Sequence, residues 1–330
     1  MRRLWRFVPI APRCRWLNSL TRPPVESHMP SISAEDPGDR LAVSVLVPTC
    51  APWPAIAPAI ESLLAQATSL QYEILILDGH GAGLAAPPTH PALRWLQLPG
   101  SDTFVLRAAG LAAARGTIVA LSEDHCVAGP DWVDAVANAH RDDERPALLG
   151  PTVNHPESAL LSMDRANFLL TFAGQNRSRF DIGWRRLPVP TNLSLKRAAL
   201  PEGGLAPGEL EYPWLAQLRD TRALGVAPSA VLQHKQSWGA DTLAVHLASG
   251  RSYGASIREW HWREKFRWWL RLPLLPLQLA RLAMPDLMRG AGGAPASFRD
   301  AFCLAGLILA NVIGQLQGAI FGAGASRQRL

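Results

Sequence analysis

Short apolar runs alternate with stretches of helical periodicity over the first half of the chain. The runs are mostly apolar, which is typical of strands that are buried on both faces. They occupy residues 41–47, 72–77, 93–98 and 118–121. Helices are predicted between them at about 55–66 and at 107–115, and Gly116 ends the second. Strands that alternate with helices predict an α/β fold whose mostly parallel sheet carries helices on both faces.

The second half of the chain has a less regular pattern. The predicted elements are helices at 157–172 and 209–224, a short strand with an exposed rim at 190–197, and a strand at about 226–232. The last of these strands leads to His234. A polar, arginine-rich loop is expected at 174–190.

The composition changes at about residue 260, where tryptophans and basic residues occur together. An apolar segment follows at 270–284, and residues 301–323 contain no charged side chain. A helix over the second segment would be about 34 Å long, enough to cross the hydrocarbon core of a bilayer. Small residues recur at every fourth position from Gly306 to Gly322, so another helix can approach closely. The region predicts hydrophobic and amphipathic helices that attach to a membrane, spanning it or not; a helix buried against the rest of the protein is the alternative.

Basic residues outnumber acidic ones, and the formal net charge is +6. Several arginines, interleaved with aromatic residues, precede Glu26, the first acidic residue. We therefore expect residues 1–38 to be a basic tail, either an unstructured extension or a contact with an anionic membrane surface. No nucleic-acid recognition motif accompanies the charge, so nucleic acid is not an expected partner.

The end of the fourth predicted strand is the strongest candidate for chemistry. Glu123, Asp124 and His125 follow directly on the apolar run there. Buried carboxylates are unfavourable unless something binds them, and a divalent cation that holds a phosphate is one such partner. Ligands of open α/β sheets bind at this edge, outside the carboxyl ends of the strands. The segment predicts a site for a cation and an anionic ligand.

Other polar residues are placed along the chain in a definite order. Pro48 and Thr49 end the first strand, and Asp78 ends the second. Arg107 precedes the fourth strand, and Glu209, Glu211 and His234 come after it. Over about residues 41–235 this order resembles the family 2 glycosyltransferases of the GT-A fold. In that family a strand with a Pro-Thr or Pro-Ala turn precedes a strand ending in Asp-Asp-Gly-Ser, and an arginine-containing helix leads to an Asp-x-Asp strand.

The resemblance implies a role for each matching residue. Contacts with the donor nucleotide would come from Pro48, Thr49, Asp78, Arg107 and Glu123. Asp124 would bind Mg²⁺ or Mn²⁺, with His125 and His234 as further ligands, and the ion would offset charge on the leaving nucleoside diphosphate. Glu211 would be the carboxylate base of an inverting transfer, with Glu209 as the alternative.

The resemblance also implies an organisation and a reaction. Residues 39–238 would be the GT-A catalytic domain. The apolar and basic pattern described above, rather than the resemblance, predicts a helical, membrane-associated region at residues 239–330. The expected reaction moves a sugar from a nucleoside-diphosphate sugar to a glycan or lipid-linked acceptor, in cell-envelope or exopolysaccharide synthesis. The expected location is the cytoplasmic face of the inner membrane.

Two positions depart from the family pattern. Ser122 and Gly79 stand where the family has aspartates. These departures leave open a non-catalytic protein of the same fold, serving as a membrane scaffold or partner subunit. A sugar-1-phosphate nucleotidyltransferase is a further alternative, but that class has a glycine-rich phosphate loop where this chain has Pro48 and Thr49.

Overall fold

The computed structural model describes residues 41–80, 89–172, 189–235, 239–258, 260–290 and 295–329. The strands are β1 (Val43–Thr49), β2 (Tyr72–Asp78), β3 (Leu93–Gln97), β4 (Ile118–Leu121), β5 (Cys126–Ala128), β6 (Ala147–Leu149), β7 (Thr152–Asn154), β8 (Leu193–Lys196), β9 (Leu224–Val226) and β10 (Leu232–His234). The helices are α1 (Trp53–Leu64), α2 (Thr103–Ala113), α3 (Trp132–Asp142), α4 (Ser162–Phe172), α5 (Leu215–Asp220), α6 (Thr242–Ile257), α7 (Trp262–Arg271), α8 (Leu275–Met288) and α9 (Phe298–Phe321).

A seven-stranded sheet in the order β3-β2-β1-β4-β8-β6-β9 forms the centre of the fold. Strands β1 to β4 are parallel to one another, and β8 runs antiparallel to both of its neighbours. A three-stranded sheet, β5-β10-β7, lies beside it. The predicted α/β class with a mostly parallel sheet is confirmed.

Both faces of the main sheet are buried because its strands are apolar at nearly every position. Val45 on β1 and Ile74 on β2 pack with α1 and α3 on one face. Leu46 and Leu75, the next residues along, pack with α2 and α5 on the other face. Successive side chains of a strand point to opposite faces, so an uninterrupted apolar run supplies two cores.

The elements of the first half agree with the sequence to within a few residues. β4 has the predicted bounds, β1 lies two residues later than expected, and α2 begins four residues before Arg107. The side chain of Asp102 explains the early start of α2, because it accepts hydrogen bonds from the backbone N–H groups of Phe104 and Val105.

Several predictions for the second half are wrong in detail. The helix expected at 157–172 is a 3-10 turn, Pro156–Ala159, followed by α4. The strand expected at 226–232 is two strands, β9 and β10, in different sheets. Pro228 lacks an N–H, and Ala230 donates back to the carbonyl of Ala227, so the chain turns where the pattern predicts a strand.

The strand predicted at 190–197 is expected to have an exposed rim, but its first residues are buried. Pro190, Thr191 and Asn192 form a buried 3-10 turn before β8. The Asn192 amide donates to the carbonyls of Pro151 and Ala230, which satisfies its polar group inside the protein. The tail at 1–38 and most of the loop at 174–190 lie outside the described residues.

The C-terminal helices form a third core with a helix of the first part of the chain. Leu279 of α8 and Leu307 of α9 pack there with Leu169 of α4. By length and composition alone, α9 is long and apolar enough to cross a membrane, with a mean hydropathy of 1.6. About a third of its most apolar 18-residue stretch is buried in the protein. The domain boundary near residue 238 stays a prediction.

Candidate active site

The strand register brings the predicted polar residues to one edge of the main sheet. Thr49, the last residue of β1, pairs with Asp78, the last residue of β2. On the other side of β1, Leu46 pairs with Leu121, so the residues after β4 emerge beside Thr49. The Thr49 hydroxyl donates to Asp124 Oδ2 at 2.6 Å. Thr49 therefore connects the end of β2 with the segment after β4.

Two carboxylates and two imidazoles converge after β4. His125 Nδ1 lies 2.8 Å from Asp124 Oδ1, and His125 Nε2 lies 3.2 Å from Glu123 Oε2. The same Nε2 lies 3.1 Å from His234 Nε2 on β10. β10 pairs with β5 so that His234 is opposite Cys126, which places the two histidines together although they are far apart in sequence.

Electrostatics within this cluster favour positive charge at His125. Burial would lower the pKa of His125, but its hydrogen bonds to Asp124 and Glu123 outweigh burial and raise it to about 9. Burial would raise the pKa of Glu123, yet the hydrogen bond to His125 and the charges of His125 and Arg107 lower it to about 2. Burial, with the His125 charge, lowers the pKa of His234 to about 3. The carboxylates thus stabilise a proton on His125, whereas burial and the His125 charge keep His234 neutral.

Arg107 joins this cluster to Glu211. Its Nη2 donates to Glu123 Oε1 at 3.0 Å, and its Nη1 donates to Glu211 Oε1 at 3.2 Å. Thr191 donates a further hydrogen bond to Glu123 Oε1 at 2.9 Å. The predicted nucleotide contact of Arg107 stays a prediction; in this structure, its guanidinium lies between two carboxylates.

Glu211 lies on an irregular turn rather than in the first turn of a regular helix. Residues Leu210–Trp214 form a π-helical turn that runs into α5. In an α-helix the carbonyl of Glu209 would accept from residue 213, but Pro213 has no N–H, and Trp214 donates instead at 2.9 Å. Such π turns occur often at functional sites.

The environment of Glu211 suits a proton acceptor. Burial raises the pKa of Glu211, and this effect outweighs the lowering by Arg107. Its Oε2 is buried and has no hydrogen-bond partner within the described part of the chain. Glu209, the alternative base, is exposed and accepts from the backbone N–H of Ala206. Of the two glutamates, only Glu211 contacts the cluster through Arg107.

Asp78 and Pro48 lie at the end of the neighbouring strands. Asp78 Oδ1 accepts from the backbone N–H of His80, and Oδ2 accepts from Trp95 Nε1 at 3.3 Å. The next residue is Gly79, where the resemblance leads one to expect aspartate. A Cβ there would lie 2.5 Å from the carbonyl oxygen of Ser101, so local packing explains this departure.

Ser122, the second departure, does not contribute to the cluster. Its side chain is fully buried, and its hydroxyl has no hydrogen-bond partner among the residues described. Glu123, one residue later, occupies the position between His125, Arg107 and Thr191. A carboxylate next to the expected position therefore supplies the charge that Ser122 lacks.

Sequence reasoning missed four residues at the site. Thr191 binds Glu123, and the rings of Phe168 and Phe172 on α4 lie 6.2 and 5.0 Å from the His234 ring. The Cys126 sulfur lies within 4.8 Å of ligand atoms of Glu123 and His125, but burial raises its pKa well above the usual value and keeps the thiol neutral. Of these four residues, only Thr191 could have been found from the sequence, because it is a polar residue near the start of a predicted strand.

The donor set of the cluster fits a divalent cation. The His125 ring joins the donor groups, with Asp124 at Nδ1 and with Glu123 and His234 at Nε2, and the cluster already stabilises a proton on that ring. Carboxylate oxygens suit Mg²⁺ and Mn²⁺, while imidazole nitrogens suit transition metals better than Mg²⁺. The predicted ligands Asp124, His125 and His234 are thus brought together, and Glu123 joins them.

The fold can be compared with those of solved structures. No protein-family model matches the chain, and no curated protein matches it. The chain is similar to a mannosyltransferase from Pyrobaculum calidifontis in complex with GDP-Man and Mn²⁺, with 17% identity, 88% of this chain and 91% of that chain covered, and a TM-score of 0.52. The fold is that of the GT-A glycosyltransferases. At this identity the likeness shows the fold alone.

Two further solved structures align with lower TM-scores. One is a glucosyl-3-phosphoglycerate synthase from Mycobacterium tuberculosis with Mn²⁺, UDP and glucosyl-3-phosphoglycerate, at 18% identity over 63% of this chain and 76% of that one, with a TM-score of 0.41. The other is S. aureus TarS with UDP-GlcNAc, at 12% identity over 81% of this chain and 90% of that one, with a TM-score of 0.40.

Proposed function

We propose that this chain is a metal-dependent glycosyltransferase of the inverting, family 2 type that uses a nucleoside-diphosphate sugar. One observation carries the proposal. Asp124 lies at the carboxyl edge of a GT-A sheet, hydrogen-bonded to Thr49 and His125, and His125 in turn contacts Glu123 and His234. This is where an open α/β sheet binds its ligand, and the donor set suits the cation that a diphosphate requires.

Each side chain then has a defined task. Glu123, Asp124, His125 and His234 would hold Mg²⁺ or Mn²⁺, with Mn²⁺ favoured by the imidazoles. Bound there, the ion would offset the charge that develops on the departing nucleoside diphosphate. Asp78, Pro48 and Thr49 would line the nucleotide pocket at the ends of β1 and β2.

Glu211 would accept the proton of the acceptor hydroxyl. Burial raises the pKa of Glu211 towards neutral pH, and a carboxylate with a pKa nearer to the working pH is a more effective base than one with the usual pKa. Arg107 would keep Glu211 ionised and at a fixed position relative to Glu123. The activated hydroxyl would attack the anomeric carbon as the bond from that carbon to the nucleoside diphosphate breaks, which would invert the configuration.

The acceptor proposed is a lipid-linked or cell-envelope glycan at the cytoplasmic face of the inner membrane. Tyr212, next to the proposed base, lies with its hydroxyl 3.3 Å from the Ser252 hydroxyl on α6. α6 packs directly on the apolar helix α9. The side of the site that would receive the acceptor is thus adjacent to the helices that we expect to contact a membrane.

Calorimetry separates the proposal from its non-catalytic alternative. UDP and GDP are titrated with and without Mn²⁺ into the parent, Asp124→Asn and Asp131→Asn. Asp131 is an exposed aspartate whose side chain does not cap α3, which makes it a matched control. We expect Mn²⁺-dependent binding of one nucleotide to the parent and to Asp131→Asn, and a loss of about 100-fold in affinity in Asp124→Asn. An absence of binding at millimolar nucleotide would favour the scaffold.

A second experiment identifies the sugar donor of the parent protein. The nucleotide that binds directs a screen of its sugar conjugates, with release of the nucleoside diphosphate as the readout and mass spectrometry of the product. We expect one donor class to be hydrolysed slowly without acceptor, in a metal-dependent manner. Equal turnover of Asp124→Asn and the parent would exclude the proposed metal site.

A further inference from the structure

Both ends of α9 are bound to other helices of the protein, α4 and α6. At its start, the buried carboxylate of Asp300 accepts from Arg165 Nη2 of α4 at 2.6 Å. At its end, the carbonyl of Gly322 accepts from Arg251 Nε of α6 at 2.9 Å. A capping box between Ser297 and Asp300 fixes the first turn as well. Both ends of α9 are therefore fixed to the rest of the folded protein.

The second half of α9 also lies directly against α6. A Cβ placed on Gly314 or Gly318 would overlap backbone carbonyls of α6, and a Cβ on Gly250 or Gly254 would overlap those of α9. The two backbones touch because all four residues lack a side chain. Two glycines of the small-residue pattern noted in the sequence, Gly314 and Gly318, are thus used for contact inside the protein.

The helices that bind α9 belong to the active site. Phe172 of α4 contacts the ring of His234, and Ser252 of α6 lies against Tyr212. α4 has 11 residues and α6 has 16, too few for either to cross a bilayer alone. If α9 crossed the bilayer, α4 and α6 would have to enter it, and the cluster at His234 would follow. A site for a nucleoside diphosphate needs access to water.

The opposite face of α9 is apolar and open. Phe298, Phe302, Leu309, Ile313 and Ile320 recur at intervals of four or seven residues, and we call them the outer stripe. Phe298 is 88% exposed and Phe302 is 75% exposed. Seven residues make nearly two turns, so these side chains lie along a single line. A continuous apolar face of this length is unusual on a surface that meets only water.

Two other C-terminal helices, α7 and α8, expose aromatic, apolar and basic side chains. On α7, Trp262, Phe266 and Trp269 are exposed, and Arg263 and Arg267 are exposed among them. α8 packs its buried residues on α9 and exposes Leu277 and Met288 on its other side. Tryptophans with arginines on amphipathic helices are typical of a contact with an anionic lipid surface.

We propose that α9 lies in the plane of an anionic bilayer surface, with its outer stripe in the interface together with the exposed side chains of α7 and α8, rather than across the membrane. This inference rests on the membrane association proposed above. The occupant of the apolar face is the lipid surface itself, because exposed arginines accompany the apolar side chains on these helices.

Depth measurements along the outer stripe test the proposal. Nitroxide labels are placed on the full chain at Phe302→Cys, Leu309→Cys and Ile320→Cys, with Cys14, Cys50 and Cys303 replaced by serine so that the label goes to the introduced cysteine; the remaining Cys126 is buried. Vesicles contain phosphatidylcholine with or without phosphatidylglycerol, and accessibility to oxygen and to a nickel chelate gives the depth of each label. Thr117→Cys, exposed at the amino end of β4, is the control.

An in-plane helix predicts similar, shallow depths at all three positions, with binding only to the anionic vesicles, while the label at residue 117 stays in water. A label at residue 309 much deeper than those at 302 and 320 would show a span and overturn the proposal. Labels that stay in water with vesicles, or that become protected only as a dimer forms in sedimentation, would overturn it too. Nucleotide binding measured on the same variants is independent, so loss of the proposed function is distinguished from a different membrane topology.

Discussion

Arg107 Nη1 lies 3.2 Å from Glu211 Oε1, although 104 residues separate the two side chains in sequence. The second Nη of the same guanidinium binds Glu123 at 3.0 Å. A guanidinium presents its donors in a rigid planar fork, so it can hold two carboxylates at a fixed separation. In the proposed enzyme, Arg107 therefore sets the distance between the metal ligands and the base.

Replacement of Arg107 should shift the pH dependence of transfer. In Arg107→Gln the carboxylate of Glu211 loses its positive neighbour, so its pKa, already raised by burial, rises further. The base must be ionised, so we expect the acid limb of the kcat profile to move to higher pH. Arg115→Gln, at an exposed arginine after α2, should leave the profile in place. Arg107→Lys should recover part of the shift, and an unchanged profile in Arg107→Gln would contradict the assignment.

The two candidate bases can be separated by isosteric substitutions. Glu211→Gln removes the proton acceptor and keeps the shape, so we expect kcat to fall by about 100-fold or more while Mn²⁺-dependent nucleotide binding persists. Glu209→Gln keeps an oxygen for the backbone N–H of Ala206 and should stay within about twofold of the parent. Steady-state kinetics with the donor found in the screen is the measurement. A reversal of the two effects would assign the base to Glu209.

The glycine contact between α6 and α9 predicts opposite effects for two alanine substitutions in one helix. Gly318→Ala would force the backbones apart, because its Cβ would overlap the carbonyl of Arg251, and should destabilise the protein by about 1–3 kcal/mol. At Gly306 a Cβ would have no atom of the described residues within 4 Å, so Gly306→Ala should stabilise the protein by about 0.5–1 kcal/mol through helix propensity. Thermal unfolding in detergent compares the two. Equal effects would mean that α6 and α9 do not pack as described.

His140 predicts an acid-sensitive stability. Burial lowers the pKa of this histidine to about 4, and its Nε2 lies 2.9 Å from the Ser194 hydroxyl between α3 and β8. In the unfolded chain the histidine binds a proton near the ordinary pKa of about 6.5. The stability that the buried, neutral His140 contributes is therefore present above that pH and is lost as the pH falls towards 4. Between pH 7 and pH 4.5, we expect the free energy of unfolding to fall by about 2 kcal/mol less in His140→Gln than in the parent. Denaturant unfolding at both pH values measures this, and equal losses would contradict it.

Much of the sheet was predictable because its signals are local. A run such as Ile118–Leu121 is apolar at every position, and only a strand buried on both faces uses such a run within an α/β pattern. The charged residues directly after this run were equally easy to identify as candidate site residues from the sequence. By contrast, the break between β9 and β10 and the π turn at Glu211 depend on Pro228 and Pro213, whose effect on backbone hydrogen bonds is decided by their neighbours.

The sequence by itself determined the parallel α/β core, the edge at which chemistry is expected, and the residue types available there, because strand period and strand ends are read from consecutive residues. Only the tertiary structure decided that His125 meets His234, that Arg107 bridges Glu123 and Glu211, and that α9 has its ends fixed to α4 and α6. Those contacts join segments up to 135 residues apart. Such pairings arise from the packing of whole elements, which no local pattern encodes.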